Sequence, residues 1–349
     1  MITPIVSIVV PNYNNTQYLK ELVSCFLRQT YDKWELIIID DGSTDNSFEF
    51  AKKLSYDDQR IYVYSRNRDP KGGQTCRNLG YEYSRGKYII FFDSDDMISD
   101  NCLEQRVRYM ESHPDLDFSI FPTHSFKPRT DYQTLRKLDI KWGKRINGDI
   151  IDKFLRIEYP FLVVSCIYKK ESIIDIKWRE DIPIRQDLMF NLTVLFSGLN
   201  YDFCDSSDYD YFYRVEHTTN NLSKNMTTPL KYHGMLKVFD FCFENIRNFN
   251  KKRRNKYQSA LKRYIVNYGG QLASSGNEDL CNNYLTYCSK HYSSFFTKKL
   301  SVAFGITSRL LKYNKFNKLN LSFIVFMLFF WHRFYFDLMK KAVLKLIYS

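Results

Sequence analysis

Several patterns that would assign this 349-residue chain to a large protein class are missing from it. Its eight cysteines, at positions 25, 76, 102, 166, 204, 242, 281 and 288, include no Cys-x-x-Cys pair and no histidine at zinc-finger spacing. That excludes a zinc finger and predicts reduced, mostly buried thiols. No Gly-x-x-x-x-Gly-Lys-Ser/Thr loop occurs, and no Gly-x-Gly-x-x-Gly follows the first predicted strand, so those ATP- and NAD-binding cradles are absent. The apolar run 5–10 has no basic segment ahead of it and passes directly into Pro11-Asn12-Tyr13-Asn14-Asn15, so no secretory signal is expected. Nor is there an apolar stretch of spanning length. The greasiest, 319–331, reaches about 20 Å as a helix, against about 30 Å for a hydrocarbon core.

Hydrophobic residues make up 44% of the chain, enough to fill a core, and the net charge of +12 is unevenly placed. From Asp240 onward 19 Lys and Arg face 5 Asp and Glu, which leaves residues 1–239 near neutrality. This predicts a body over 1–239 and a basic, aromatic, mainly helical region over 240–349 that can face phosphate. In the second region Lys251-Lys252-Arg253-Arg254 forms a cationic cluster. Further on, Tyr335, Leu338, Met339, Ala342 and Leu346 line one helical face, while Arg333, Asp337, Lys340, Lys341 and Lys345 line the other. Such a helix either lies in the interface of an anionic membrane or packs on the protein's own core. The first reading places the protein in the cytoplasm, peripheral on the inner face of the cell membrane. The basic-aromatic motifs of common RNA modules are missing, so no nucleic-acid partner is expected.

The body is organised around Tyr88-Ile89-Ile90-Phe91-Phe92-Asp93-Ser94-Asp95-Asp96. An apolar run of this kind reads as a strand buried on both faces, and ligands of open α/β sheets bind at the carboxyl ends of such strands. Three carboxylates within four positions repel one another unless a cation or donor compensates them. Oxygen-only ligands suit Mg²⁺ or Mn²⁺. An EF-hand loop does not fit, because its glycine position is Ile98. A haloacid-dehalogenase phosphatase does not fit either, because Met97 stands where its Thr belongs.

Along the chain, a strand at 5–10 ended by Pro11 leads into a helix whose Leu19, Leu22, Val23, Phe26 and Leu27 share one face. A second buried strand, 35–39, stops at Asp40-Asp41-Gly42-Ser43-Thr44-Asp45. A helix near 48–54, a strand at 61–64 and a helix at 74–84 complete a βαβαβαβ half, with its polar loops on one sheet edge. Strands at 118–121 and 161–168 flank an irregular stretch, 122–145. A helix starting near Gln186 places Asp187 in its first turn, where the macrodipole favours the ionised form. Strands at 201–204 and 209–213 follow.

Taken together, Val9-Val10-Pro11-Asn12-Tyr13-Asn14, the Asp40-to-Asp45 turn, Cys76-Arg77-Asn78-Leu79-Gly80, the acidic strand end and Gln186-Asp187 resemble a family 2 glycosyltransferase of the GT-A, Rossmann-like α/β fold. The resemblance covers roughly the first 220 residues. It implies an inverting, metal-dependent transfer from a nucleoside-diphosphate sugar, usually uridine-linked, to a hydroxyl of a glycan or lipid-linked acceptor. By it, Pro11 and Tyr13 shape the base pocket, Asp41 accepts from the base, and Arg77 faces the donor sugar or diphosphate. Asp93 and Asp95 contact the donor, Asp95 and Asp96 take Mn²⁺ or Mg²⁺ together with His217, and Asp187 is the general base. Cys76 replaces a frequent Ala, Gln186 replaces the Glu before the base, and Glu216 lengthens an Arg-x-His element to Arg214-x-x-His217. The rival function is a non-catalytic nucleotide-sugar or anionic-surface binding module; retention of Asp187 and of all three acids favours the enzyme.

Overall fold

The computed structural model describes residues 4–127, 141–205, 210–215 and 227–312, with side chains as far as 305. The chain divides into two compact units, Met1–Phe154 with Glu158–Asn221, and Leu155–Ile157 with Leu222–Ser349. The change of composition at Asp240 falls inside a helix, Pro229–Ile246, so the structural division comes earlier than the charge pattern places it.

In the first unit β1 (Val6–Asn12), α1 (Thr16–Leu27), β2 (Trp34–Asp40), α2 (Ser47–Asp57), β3 (Ile61–Ser65), α3 (Gly73–Tyr83) and β4 (Tyr88–Phe91) alternate as expected. The parallel pairs β1–β2, β1–β4 and β2–β3 put their carboxyl ends on one edge. Ile8, Val10, Leu36, Ile38 and Ile90 pack with Leu22 and Phe26 of α1 on one face, and Ile37 and Ile39 pack with Cys76 and Leu79 of α3 on the other. α1 and α3 cover opposite faces and the strand order reverses between β1 and β4, the position at which open α/β sheets bind ligands. Gly80 permits the second layer. A Cβ there would lie 2.2 Å from Val9 Cγ1, so α3 could not approach β1 as closely with any side chain at that position.

β1 does not stop at Pro11 but continues to Asn12, which pairs with Asp40. The β4 pairing ends at Val9, whose carbonyl accepts from Phe92 N–H, so the missing N–H of Pro11 falls where no strand remains to be bonded. The chain then runs through β5 (Met97–Ile98), α4 (Cys102–Ser112), β6 (Phe118–Ile120), β7 (Thr123–Phe126), α5 (Ile150–Leu155), β8 (Cys166–Lys169), α6 (Gln186–Phe196), β9 (Tyr201–Phe203) and β10 (Tyr211–Arg214). β8 lies antiparallel beside β4 and completes a seven-stranded sheet, β3-β2-β1-β4-β8-β6-β9. A second sheet, β5-β10-β7, takes its β7 from the stretch expected to be irregular. The strand expected over 161–168 starts only at Cys166, because Val163–Ser165 coils into a 3₁₀ turn.

The second unit contains α7 (Pro229–Ile246), α8 (Lys251–Ser275), α9 (Glu278–His291) and α10 (Ser294–Lys312). Local chemistry sets their starts. The side chains of Thr228, Asn250 and Asn277 each accept a backbone N–H of the following first turn, with Pro229 opening α7. Phe239, Tyr264, Tyr268 and Tyr284 meet edge-on or tilted in its core. Among the described residues no helix is long and apolar enough to cross a membrane. The stretch 319–331 and the amphipathic pattern 333–346 lie outside the described residues.

Candidate active site

The site is built on the shared carboxyl edge of β1, β2, β3 and β4. Asp40 and Asp41, adjacent in sequence, take different tasks. Asp40 is buried and accepts from Asn12 Nδ2, Ser43 Oγ and the N–H groups of Gly42 and Ser43, so it holds the turn together. Asp41 accepts from Arg66 Nε at 2.6 Å and from the Gly72 N–H at 3.3 Å. Tyr13 stands 48% exposed at the end of β1, and the Lys71 ammonium lies 3.6 Å from its ring centroid. Pro11, Tyr13 and Asp41, the expected base-pocket residues, thus lie on the adjacent ends of β1 and β2. Arg66, on the segment after β3, joins them.

The Cys76-to-Gly80 stretch has a physical reason at nearly every position. Cys76 fills the α3 face of the sheet. Arg77 Nη2 donates to Asp93 Oδ1 at 2.6 Å, with its guanidinium carbon 4.5 Å from the Trp178 ring centroid. Asn78 exchanges hydrogen bonds with the Trp178 backbone, and Gly80 admits Val9. Trp178 stacks in turn on Phe190 of α6, with ring centroids 4.3 Å apart. Arg77 is therefore held against a rigid aromatic backing and pointed at the acidic strand end.

The three acids after β4 are not equivalent. Asp93 is partly exposed and paired with Arg77. The Asp95 side chain is exposed, while its backbone carbonyl accepts from Arg214 Nε at 2.6 Å. Asp96 is 1% exposed, with both oxygens engaged: Tyr211 Oη donates to Oδ2 at 2.6 Å and the Arg214 N–H donates to Oδ1 at 2.7 Å. Burial first, and then the charges of Asp95 and Asp93, hold the Asp96 carboxyl well above the usual range.

Asp96 is enclosed by protein donors and ties β10 to the strand end, and these bonds compete with the metal role expected for it. The oxygen-only chemistry of Asp95, with Asp93 beside it, fits a hard divalent cation that draws its remaining ligands from water and phosphate. Among the described residues no three His, Cys, Asp or Glu side chains converge as a complete metal cage. His217 lies outside the described residues.

Asp187 occupies the first turn of α6, as the sequence predicts. Its side chain is exposed, with protein around it that restricts its hydration. Restricted hydration raises its carboxyl, the Arg77 charge opposes this, and the Asp93 charge adds to it. These electrostatic links bring Asp187, Arg77 and Asp93 into one cluster. Gln186 Nε2 donates to Gln74 Oε1 and so binds the start of α6 to the start of α3. Sequence reasoning missed Tyr211, Trp178 and Arg66. Their partners lie between 25 and 118 residues away in the chain, so no local pattern announces them.

Residues 7–176 match the family model described as Glycosyl transferase family 2. Over those residues, 170 of the chain's 349, the sequence is similar to that family. Its relatives include Glycosyltransferase GlyG of Streptococcus pneumoniae, 42% identical over 101 residues, a match spanning 29% of this chain and 33% of GlyG. Another is poly(ribitol-phosphate) beta-N-acetylglucosaminyltransferase TarP of Staphylococcus aureus, 28% identical over 273 residues, spanning 74% of this chain and 80% of TarP. The matched part is thus about a third of GlyG and most of TarP. Among solved structures, S. aureus TarS 1–349 in complex with UDP-GlcNAc is similar with a TM-score of 0.62 at 16% identity, over 89% of this chain and 92% of that one. The chain therefore has the expected GT-A-like α/β fold, followed by a helical carboxyl-terminal region.

Proposed function

We propose that the chain transfers a sugar from a uridine-diphosphate-linked donor to a hydroxyl of a glycan or lipid-linked acceptor, with inversion, in the synthesis of a cell-surface polysaccharide. The observation that carries this reading is the convergence on one sheet edge of an exposed aromatic beside a buried carboxylate, Tyr13 and Asp41, with Arg77, Asp93 and Asp95 next to them and Asp187 linked electrostatically to Arg77 and Asp93. The N-acetylglucosaminyltransferase TarP and the TarS complex with UDP-GlcNAc support N-acetylglucosamine as the first donor sugar to try.

In this reading Tyr13 stacks on the base and Asp41, oriented by Arg66, accepts a hydrogen bond from it. Arg77, with its cationic charge maintained by Asp93, faces the diphosphate. A divalent cation held at Asp95 and Asp93 supplies Lewis-acid stabilisation of the leaving diphosphate. Asp187 takes the proton of the attacking hydroxyl, and its raised carboxyl makes it a stronger base than an ordinary aspartate. A single base and a separate leaving-group site give inversion. A glycosidase instead needs two carboxyls flanking the bond, about 5–9.5 Å apart, and neighbouring acids on one strand end cannot straddle a sugar.

The second unit fits attachment to an anionic membrane. Lys251, Lys252 and Arg253 are exposed at the start of α8, where the positive end of the helix dipole disfavours cations unless an anion faces them. Calorimetry of UDP, GDP and ADP with and without Mn²⁺, followed by a screen of the matching sugar donors for hydrolysis, tests the whole reading. UDP should bind best, and only with the cation. Equal affinity for all three, or undiminished UDP binding in chelator, would rule it out.

A further inference from the structure

Beyond the acids from the base-pocket residues, a pair of aromatic rings stands at the site with no role in holding the fold's core. Tyr213 of β10 is 36% exposed, and Trp142 meets it at 77° with ring centroids 5.6 Å apart, so the two rings form two sides of a corner. Tyr213 lies two residues after Tyr211, whose hydroxyl contacts Asp96 and the Asp93 N–H, and one before Arg214. Burial, and then the charges of Asp96, Asp93, Asp95 and Asp187, push its phenol up to about 12, which places its ring within the field of all four carboxylates.

The corner is firmly built. Trp142 exchanges backbone hydrogen bonds with Thr123 of β7, the strand beside β10. Gly143, at φ 76, sits where a Cβ would fall 2.0 Å from the Phe121 carbonyl oxygen, and its N–H donates to Pro160. Next to Pro160, the Tyr159 hydroxyl accepts from Arg185 Nη1, and Arg185 immediately precedes the helix that carries Asp187. A chain of short contacts therefore links the aromatic corner to the carboxylate proposed as base. The Lys141 ammonium, 4.6 Å from the Trp142 ring centroid, adds a hydrogen-bond donor at the rim.

We infer that Trp142 and Tyr213 form the acceptor subsite, in which the apolar face of a pyranose ring lies against the aromatic corner with a hydroxyl turned to Asp187. Rigid rings suit this task because they offer broad apolar area at little entropic cost, while a few polar groups at the rim fix orientation. The nucleotide-side residues stand on β1, β2 and the segment after β3, on the other side of the acidic strand end, which leaves this corner to the second substrate. The inference rests on the glycosyltransferase reading and deepens it.

The test uses the full-length protein and saturation-transfer NMR with methyl β-glucoside and methyl β-N-acetylglucosaminide, in the presence of UDP and Mn²⁺. Binding of at least one glycoside is expected, with saturation concentrated on one ring face. Trp142→Ala should weaken it by about tenfold, as expected for losing one aromatic contact of about 1.4 kcal/mol. Trp142→Phe and Tyr213→Phe, which keep a ring, should retain most of it. UDP affinity and acceptor-free hydrolysis of the donor should stay within about twofold in Trp142→Ala, because its ring contacts are to Tyr213 and Lys141 and not to the nucleotide-side residues. Glycoside binding equal in wild type and Trp142→Ala, or none in a wild type that binds UDP, would overturn the subsite and leave the donor reading standing. A wild type that binds no nucleotide would overturn both.

Discussion

Replacing Asp187 with Asn separates a catalytic role from a structural one, because the two differ in sign as well as size. An aspartate in a first helical turn often caps the helix, and losing a cap costs about 0.5–2 kcal/mol. Here the cap position is Arg185, in the left-handed region at φ 53, and no side-chain capping bond forms, so there is no such bond to lose. Instead the Asp187 carboxyl is raised by restricted hydration and by Asp93, against the pull of Arg77. A carboxyl whose pKa is higher in the folded state than in the unfolded one lowers stability when ionised. The penalty is absent below the ordinary value of 3.8 and grows as pH rises through the raised one. Asp187→Asn should therefore be as stable as wild type, or more so, at neutral pH, and thermal melts should show the difference closing toward pH 4. Transfer should fall about 10²- to 10⁴-fold, equivalent to about 2.7–5.5 kcal/mol of transition-state stabilisation, at unchanged UDP affinity. The acid limb of the wild-type rate profile should lie above the ordinary carboxylate range. Removing the neighbouring cation with Arg77→Gln should move it higher, and Asp93→Asn should move it lower. Near-native transfer by Asp187→Asn at normal UDP affinity would refute the assignment, and a lower melting temperature at neutral pH would refute the electrostatic argument.

Three further outcomes are expected. Arg106 is fully buried, donates to both oxygens of Asp210 at 2.7 and 2.8 Å and also to the Val164 and Cys166 carbonyls; Arg106→Met should cost about 3–5 kcal/mol in denaturant unfolding, with much of it restored by adding Asp210→Leu. In calorimetry Asp95→Asn should weaken the Mn²⁺-dependent part of UDP binding, whereas Asp96→Asn should leave the Mn²⁺ dependence in place; the reverse pattern would assign the metal to Asp96. Vesicles containing phosphatidylglycerol should float the protein at low salt and release it as salt rises, and charge reversal of Lys251, Lys252, Arg253 and Arg254 should weaken flotation, which neutral vesicles would not support in either form.

Much of the first unit was legible because its signals are local. Apolar runs marked β1, β2 and β4, the last two ending in acids, and helical periodicity marked α1 with its buried Leu19, Leu22, Val23 and Phe26. The small sheet was not legible. β5 has two residues and β7 has four, and β7 reads Thr-His-Ser-Phe, with neither an apolar run nor a clean alternation. Its pairing is set by β10, nearly ninety residues later, and by the buried Arg106–Asp210 pair at the base of that strand. Long-range partners of this kind give a segment its conformation without leaving a trace in its own sequence.

The acidic strand end shows the same limit at single-residue scale. Asp93, Asp95 and Asp96 are identical in chemistry, and sequence alone assigns them as one cation-binding group. The structure divides their work by what each one meets. Arg77 compensates Asp93, while Tyr211 and the Arg214 N–H compensate Asp96. The cluster thereby keeps three acids in close quarters, with Asp96 buried and the Asp95 side chain exposed. Because Tyr211 and Arg214 belong to the same strand as Tyr213, the donor-side acids and the proposed acceptor wall are fixed by one element. A substitution that loosens β10, such as Asp210→Asn, should consequently raise the KM for donor and for acceptor together, whereas Trp142→Ala should raise only the second.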